Sequence, residues 1–317
     1  MDKSDETLLQ VENLSVRYTT PTGVVDALRG VSFELGREKL GVVGESGSGK
    51  STLGRSILRL IPHPGVVRAD RMAFMGQDLS GMSEFEMRQV RGKQITMILQ
   101  DPKFSLNPVM KAGDQILEAL SIHGHINRRE GRKRVIEILK AVRIRDPERV
   151  YNAYIHELSG GMGQRVMTAM MVVTNPMLLI ADEPTSALDV TVRMQVLAII
   201  DDLVTQRGMG LIFISHDLNL VGSFCDRILI MYGGRIVESC KASELHICKH
   251  PYTRGLLESL PSIEHPKETL ATLKRDLEAV IDLGEDSVLF VRLDPRLKPR
   301  TLGIARPPVD PAFFFVG

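Results

Sequence analysis

Three cysteines, Cys225, Cys240 and Cys248, are too few for a disulfide framework in 317 residues, so a reducing, cytosolic setting is expected. Neither sign of charge dominates. Forty basic against thirty-nine acidic residues leave a net +1, which excludes a global field drawing the chain to nucleic acid or to an anionic membrane surface. Long hydrophobic runs are missing as well. The longest stretch without a charge, Val166 to Ala181, is sixteen residues broken by Asn175-Pro176, too short to span a bilayer. The opening MDKSDETLLQ is acidic and polar, unlike the basic-then-apolar start of a secretory signal, and the chain is expected to be soluble by itself. No internal repeat is found.

What is present is globular composition, 43% hydrophobic and 25% charged, enough for a sizeable core. Residues 8–35 mix short alternating β-branched runs with turn residues, as antiparallel strands do. Three apolar runs, KLGVVG, MLLIADEP and GLIFISHD, are spaced by helical patterns, the rhythm of a parallel sheet covered by helices. A helix is expected from Lys50 to Leu60. Others are expected across residues 111–145, where Ile116, Leu117, Leu120, Val135, Ile138, Leu139 and Val142 recur at helical spacing. The cluster Arg128, Arg129, Arg132, Lys133 and Arg134 reads as a solvated helix face, since no aromatics interleave with it. RILIMYGGRIVES reads as a hairpin around Gly233-Gly234. Beyond Pro261 the character changes to a helical ETLATLKRDLEAVID, a strand-like SVLFVRLD and a proline-rich end, read as an appended α+β region.

The stretch GESGSGKS, Gly44 to Ser51, joins the first apolar strand to the helix from Lys50. A phosphate chain is held well by backbone N–H groups converging at a helix start, where the helix dipole also favours negative charge. Glycine at 44, 47 and 49 lets the main chain wrap that closely, Lys50 reaches the β and γ phosphates, and the Ser51 hydroxyl ligates Mg²⁺. The candidate nucleotide loop thus comprises Gly44, Glu45, Ser46, Gly47, Ser48, Gly49, Lys50, Ser51 and Thr52. Such a site also needs a carboxylate for the magnesium shell and a group that activates water; Asp182 and Glu183, at the end of the next apolar strand, supply both. A second Ser-Gly-Gly turn, in LSGGMGQR from Leu158 to Arg165, makes a second anion-binding end and needs a second phosphate. The economical arrangement is two subunits head to tail, each closing the other's nucleotide.

In this order and spacing the motifs resemble the ATP-binding cassette family over residues 8–260. Tyr18 lies where that family's adenine-stacking aromatic occurs. Gln100 in ILQDP matches its Q-loop, LSGGMGQR its signature, LLIADEP its Walker B strand, SALD (186–189) its D-loop and His216 in ISHD its switch histidine. The resemblance implies an α/β phosphate-loop NTPase fold with a mixed-sheet core, an antiparallel β subdomain and a helical subdomain at about 101–165. The nucleotide-binding domain would be 1–260 and the accessory region 261–317. It also implies that Glu183 polarises the attacking water, that His216 contacts the γ-phosphate, and that Gln100 joins Mg²⁺ to the membrane-subunit interface. Ser159, Gly160 and Gly161 would clamp the partner's ATP. Gly163 departs from a position where the family often carries a longer polar residue, with a small effect on helix packing expected.

Residues 75–116, with EMRQVRG and QDPKFSLNPV, and HPYTRGLLESLP at 250–261 are similar to the ATPases of oligopeptide, dipeptide and nickel importers. Those work with a second, homologous ATPase chain, two transmembrane permease subunits and an extracytoplasmic binding protein, which implies a peripheral place on the cytoplasmic face of the bacterial inner membrane. No cysteine follows Cys248, so the iron-sulfur cluster that many members carry there is not expected. Cys240, His246, Cys248 and His250 offer soft ligands in eleven residues. Against a zinc site, His250 belongs to the HPYT turn and the other three are expected on a helix and its exit. Cassette ATPases that act on nucleic acid or ribosomes form the alternative, but neither a coiled-coil insertion nor a second cassette is visible. A small-molecule kinase or GTPase would leave LSGGMGQR idle.

Overall fold

The computed structural model describes residues 7–21, 23–99, 105–186 and 188–259. Gln100, Ala187 of the D-loop stretch and the expected accessory region 261–317 with its helix and strand lie outside the described residues.

Strands β1 (Leu9–Thr20) and β2 (Gly23–Leu35) pair antiparallel from Leu9 opposite Leu35 to Thr20 opposite Gly23. Leu9, Val11, Leu14 and Val16 are all buried although Val11 and Leu14 are three apart, a spacing that would turn one of them outward on a regular strand. A register shift between them, with Asn13 at φ 51°, restores the phase. The short strands β4 (Gly65–Arg68), β5 (Arg71–Phe74) and β6 (Gln77–Asp78) complete this sheet, in the order β2-β1-β5-β6 with β4 paired to β1.

The second sheet runs β11-β10-β3-β9-β8-β7. It contains β3 (Lys39–Val43), β7 (Ile95–Ile98), β8 (Leu178–Asp182), β9 (Gly210–Ser215), β10 (Arg227–Tyr232) and β11 (Arg235–Lys241). Neighbours are parallel except the β10–β11 hairpin. Every residue of β7, β8 and β9 is buried, because both faces are covered. Leu179, Ala181, Leu211 and Phe213 enter one core, and Leu178, Ile180, Ile212 and Ile214 enter another. The second is shared with the antiparallel sheet and with Leu53 and Ile57 of α1 (Lys50–Ile57). Helix α1 is shorter than the sequence pattern suggests: Arg59 turns left-handed at φ 51°, and the amides of Arg59 and Leu60 fold back onto the carbonyls of Ser56 and Arg55.

Among the described residues, four further α-helices follow α2 (Glu84–Val90), whose start carries a Ser83–Glu86 capping box. These are α3 (Ala112–Ser121), α4 (Arg128–Ala141), α5 (Pro147–Asn152) and α6 (Gly160–Val172). Ile116, Val135, Ile138, Leu139 and Val142 are buried there, while Arg128, Arg129, Arg132, Lys133 and Arg134 of α4 are exposed. Helix α6 carries on past residue 165 to Val172. A Cβ built on Gly163 within it meets nothing within 4 Å. Gly163→Ala is therefore expected to raise the thermal midpoint by roughly 1–4 °C through the lower backbone entropy of alanine in a helix interior; differential scanning calorimetry checks this.

The remaining α-helices among the described residues are α7 (Val190–Arg207), α8 (Leu218–Phe224) and α9 (Pro251–Ser259). The expected place of Cys240 is also corrected. Cys240 lies on β11 and not on a helix, because pairing from the Gly233-Gly234 turn continues through Ile228 opposite Cys240 to Arg227 opposite Lys241. Burial pushes the Cys248 thiol up to about 12 and raises that of Cys240, which disfavours the thiolates a metal would need. Among the described residues no three His, Cys, Asp or Glu side chains are placed to hold a metal ion.

Candidate functional site

The phosphate loop leaves β3 at its carboxyl end and enters α1. Its glycines answer different demands. A Cβ on Gly44 would stand 2.1 Å from the Met231 carbonyl oxygen, so strand β10 leaves no room for a side chain. Gly47 and Gly49 take φ values of 84° and 101°, which L side chains rarely adopt. The tip of the β10–β11 hairpin holds the loop from below, with the Gly234 amide donating to the Ser48 carbonyl at 3.2 Å.

Lys50 is buried at the start of α1 and its ammonium donates to the main-chain carbonyls of Gly44 and Glu45, each at 2.8 Å. Burial lowers its pKa, with the carboxylates of Glu183, Asp182 and Glu45 acting in the opposite sense. No side chain caps α1 and no acidic residue occupies its first turn. The Ser48 hydroxyl is buried in the loop without a hydrogen-bond partner among the described residues. A buried cation, an uncapped helix start and an orphaned hydroxyl in a glycine cradle fit a polyphosphate anion.

Behind the loop, the Ser51 hydroxyl donates to Asp182 Oδ1 at 2.9 Å, although the two are 131 positions apart. Burial raises the Asp182 pKa, and the Ser51 hydrogen bond and Arg55 counter it only in part. A hydroxyl beside a buried, electrostatically costly carboxylate is a hard-oxygen donor set of the kind Mg²⁺ takes, with waters completing its shell.

Strand β8 ends at Asp182, and Glu183 follows with φ at 46°, a left-handed conformation costing a non-glycine residue about 1–3 kcal/mol. Its amide donates to the Ile214 carbonyl, and its own carbonyl accepts from the Ser186 amide. His216, just beyond β9, places Nδ1 at 3.0 Å from Glu183 Oε1. The histidine is 63% exposed and the glutamate 18%, so the pair lies at the lip of the site with the carboxylate inside. The structure thus brings Lys50, Ser51, Asp182, Glu183 and His216 to the carboxyl ends of neighbouring strands.

Ser159 and its glycines sit elsewhere in the chain. Ser159 caps α6, its hydroxyl accepting from the Met162 amide at 3.4 Å, and Ser159 and Gly160 are exposed. Gly161 abuts the first turn of α7, where a Cβ would reach Val192 Cγ1 at 2.6 Å. That turn is capped in turn by Asp189 of the D-loop stretch. Tyr18 is half-buried on β1, opposite Val25 on β2 and Gly65 on β4; Val24 and Val25 beside it are exposed. One contact was invisible in the motifs: the Glu45 amide donates to the Tyr252 hydroxyl at 3.1 Å. The HPYT turn marked Tyr252 as part of a pattern, but nothing local connects it to a loop 207 positions earlier.

Comparison with known proteins agrees with this geometry. The ABC transporter family profile matches residues 28–186. An oligopeptide transport ATP-binding protein of Bacillus subtilis is 48% identical over 264 residues, covering 82% of this chain and 74% of that protein. A dipeptide transport ATP-binding protein of Escherichia coli is 44% identical over 268 residues, covering 84% and 82%. The fold superposes on the ATP-binding cassette MJ0796, solved as a dimer in a post-hydrolysis state with ADP and Pi, at a TM-score of 0.64 and 28% identity over 74% of this chain and 99% of that one. From motif order, site geometry and likeness over most of its length, the chain belongs to the ABC transporter family and is one of its ATPase cassettes.

Proposed function

We propose that this chain is the ATP-hydrolysing subunit of an importer for peptides or related small solutes, working as one half of a pair of homologous cassettes. The observation that carries the reading is the buried Lys50 ammonium at the uncapped start of α1, beside the Ser51–Asp182 pair. The oligopeptide and dipeptide names of the relatives support the solute class.

In this reading Lys50 exchanges its two carbonyls for phosphate oxygens, and the amides of residues 46–52 bind the rest of the polyphosphate. Mg²⁺, when bound, neutralises charge on the phosphates, and Ser51 and Asp182 would hold it together with Gln100. Glu183 takes a proton from the water whose oxygen attacks the γ-phosphorus, while the bond from that phosphorus to the bridging oxygen breaks to leave ADP and phosphate. His216 orients the Glu183 carboxylate and contacts the γ-phosphate. Tyr18 stacks on the adenine. Ser159, Gly160 and Gly161 close on the nucleotide of the partner cassette, so binding favours the closed pair by contacts that the open pair lacks.

Two transmembrane permease subunits and an extracytoplasmic binding protein complete the machine, with this chain peripheral on the cytoplasmic face of the bacterial inner membrane. No described helix is long and apolar enough to cross a membrane. The test is ATP-dependent uptake of a labelled oligopeptide by vesicles carrying the reconstituted complex. Hydrolysis indifferent to the binding protein and its peptide, or copurification with nucleoprotein in place of membranes, sinks the importer reading.

Asp182→Asn separates ion binding from folding. The raised pKa of Asp182 means that its stability contribution is complete below the ordinary value of 3.8 and is lost as pH rises through the raised one. At neutral pH the buried carboxylate is a cost to the nucleotide-free protein. The asparagine variant is expected to melt at the same temperature or about 1–3 °C higher without ligand. It should lose the extra stabilisation that Mg²⁺ adds to ATP.

A further inference from the structure

The Gly44–Glu45 peptide is held at both of its polar ends. Its carbonyl, on Gly44, accepts from the Lys50 ammonium at 2.8 Å, and its N–H, on Glu45, donates to the Tyr252 hydroxyl at 3.1 Å. Because the peptide unit is planar, fixing the oxygen and the hydrogen fixes the plane, and with it the direction in which the chain enters the phosphate loop. These anchors differ in permanence. In the proposed function, on which this inference rests, Lys50 leaves the carbonyl for the nucleotide, while the tyrosine hydroxyl stays on the N–H and goes on holding that plane.

Tyr252 is built to stay. Its ring packs on Tyr232 with centroids 4.5 Å apart, and Tyr232 ends strand β10, whose Met231 carbonyl already touches Gly44. Helix α9, which carries Tyr252, is tied to β11 at its entry: Glu238 accepts from the amides of Lys249 at 2.7 Å and His250 at 3.3 Å. The Tyr252 amide closes the turn on His250 Nδ1 at 3.2 Å. A continuous set of contacts therefore runs from β11 through the HPYT turn to the amide at the mouth of the phosphate loop.

We propose that Tyr252 is a positioning residue for ATP binding, its hydroxyl presetting the Gly44–Glu45 peptide plane so that helix α9 sets the affinity of the phosphate loop. The bond is made before ligand arrives, so the loop loses less freedom on binding. Removing the acceptor leaves the amide to find another partner and lets the plane turn.

The test is equilibrium binding of MgATP to the full-length chain by calorimetry, with thermal midpoints measured alongside. Tyr252→Phe keeps the ring on Tyr232 and removes the hydroxyl that accepts from the Glu45 amide. It is expected to weaken MgATP binding roughly 3- to 10-fold, the size of one hydrogen bond, while the nucleotide-free midpoint moves by less than about 2 °C. Tyr232→Phe, which keeps the same ring pair, is expected to bind as wild type. Wild-type affinity in Tyr252→Phe overturns the inference. So does an equal loss in Tyr232→Phe, or a loss accompanied by a midpoint drop of more than about 5 °C, because each assigns Tyr252 to packing alone. A wild-type chain that binds no MgATP overturns the proposed function as well, which an indifferent Tyr252→Phe does not.

Discussion

Glu183→Gln is expected to lower kcat for ATP about 10²- to 10⁴-fold in the complete complex while leaving ATP affinity within about twofold. The change is nearly isosteric. Glutamine accepts the same left-handed backbone at φ 46°, keeps the amide bond to Ile214, and retains an oxygen that can meet His216 at the present 3.0 Å. What it loses is the capacity to take a proton from water, a property used only as the reaction proceeds. Binding therefore survives and turnover does not. If ATP binding favours the closed pair and hydrolysis reopens it, as proposed, the variant mixed with its homologous partner cassette should also accumulate as a nucleotide-loaded pair, visible on size exclusion with MgATP as a species of the two chains' summed mass. Undiminished hydrolysis would remove Glu183 from the role of base and leave the His216 contact as a structural feature.

Lys50→Met is expected to weaken MgATP binding about 10- to 150-fold, the range for one or more hydrogen bonds to a charged group, and to reduce hydrolysis at least as much. The informative part is the protein without nucleotide. Lys50 is buried, its bonds go to main-chain carbonyls, and burial depresses its pKa, so its charge is a cost to the empty fold. A depressed pKa makes its relative stabilisation complete above the ordinary 10.5 and lost as pH falls through the lowered value. Methionine of similar length should therefore leave the nucleotide-free midpoint at pH 7 unchanged or higher, and flatten its rise toward alkaline pH. A variant that binds MgATP normally, or that fails to fold without it, contradicts the assignment of this lysine to phosphate binding.

Much of the architecture was legible because its determinants are local. Alternation in residues 8–35, charge-free runs at β3, β8 and β9 and the spacing of Val135, Ile138 and Leu139 each report a periodicity that the backbone must satisfy wherever it lies. The glycines, Lys50 and Ser51 of the loop belong to the same class, since a phosphate cradle is made by consecutive residues. The placement of Cys240 went the other way, because the end of a strand is decided by how far its partner keeps pairing.

Sequence alone, then, determined that a phosphate loop stands between a buried strand and a helix, that an acidic pair ends another strand, and that a second glycine turn opens a helix. Tertiary structure decided which of these groups meet: Ser51 with Asp182 and Glu183 with His216 at the strand ends, Gly161 against Val192, and the Glu45 amide against Tyr252. The physical reason is that periodicity and turn chemistry act over a few residues. A hydrogen bond across 131 or 207 positions exists only once a twisted parallel sheet has stacked its strands and aligned their ends.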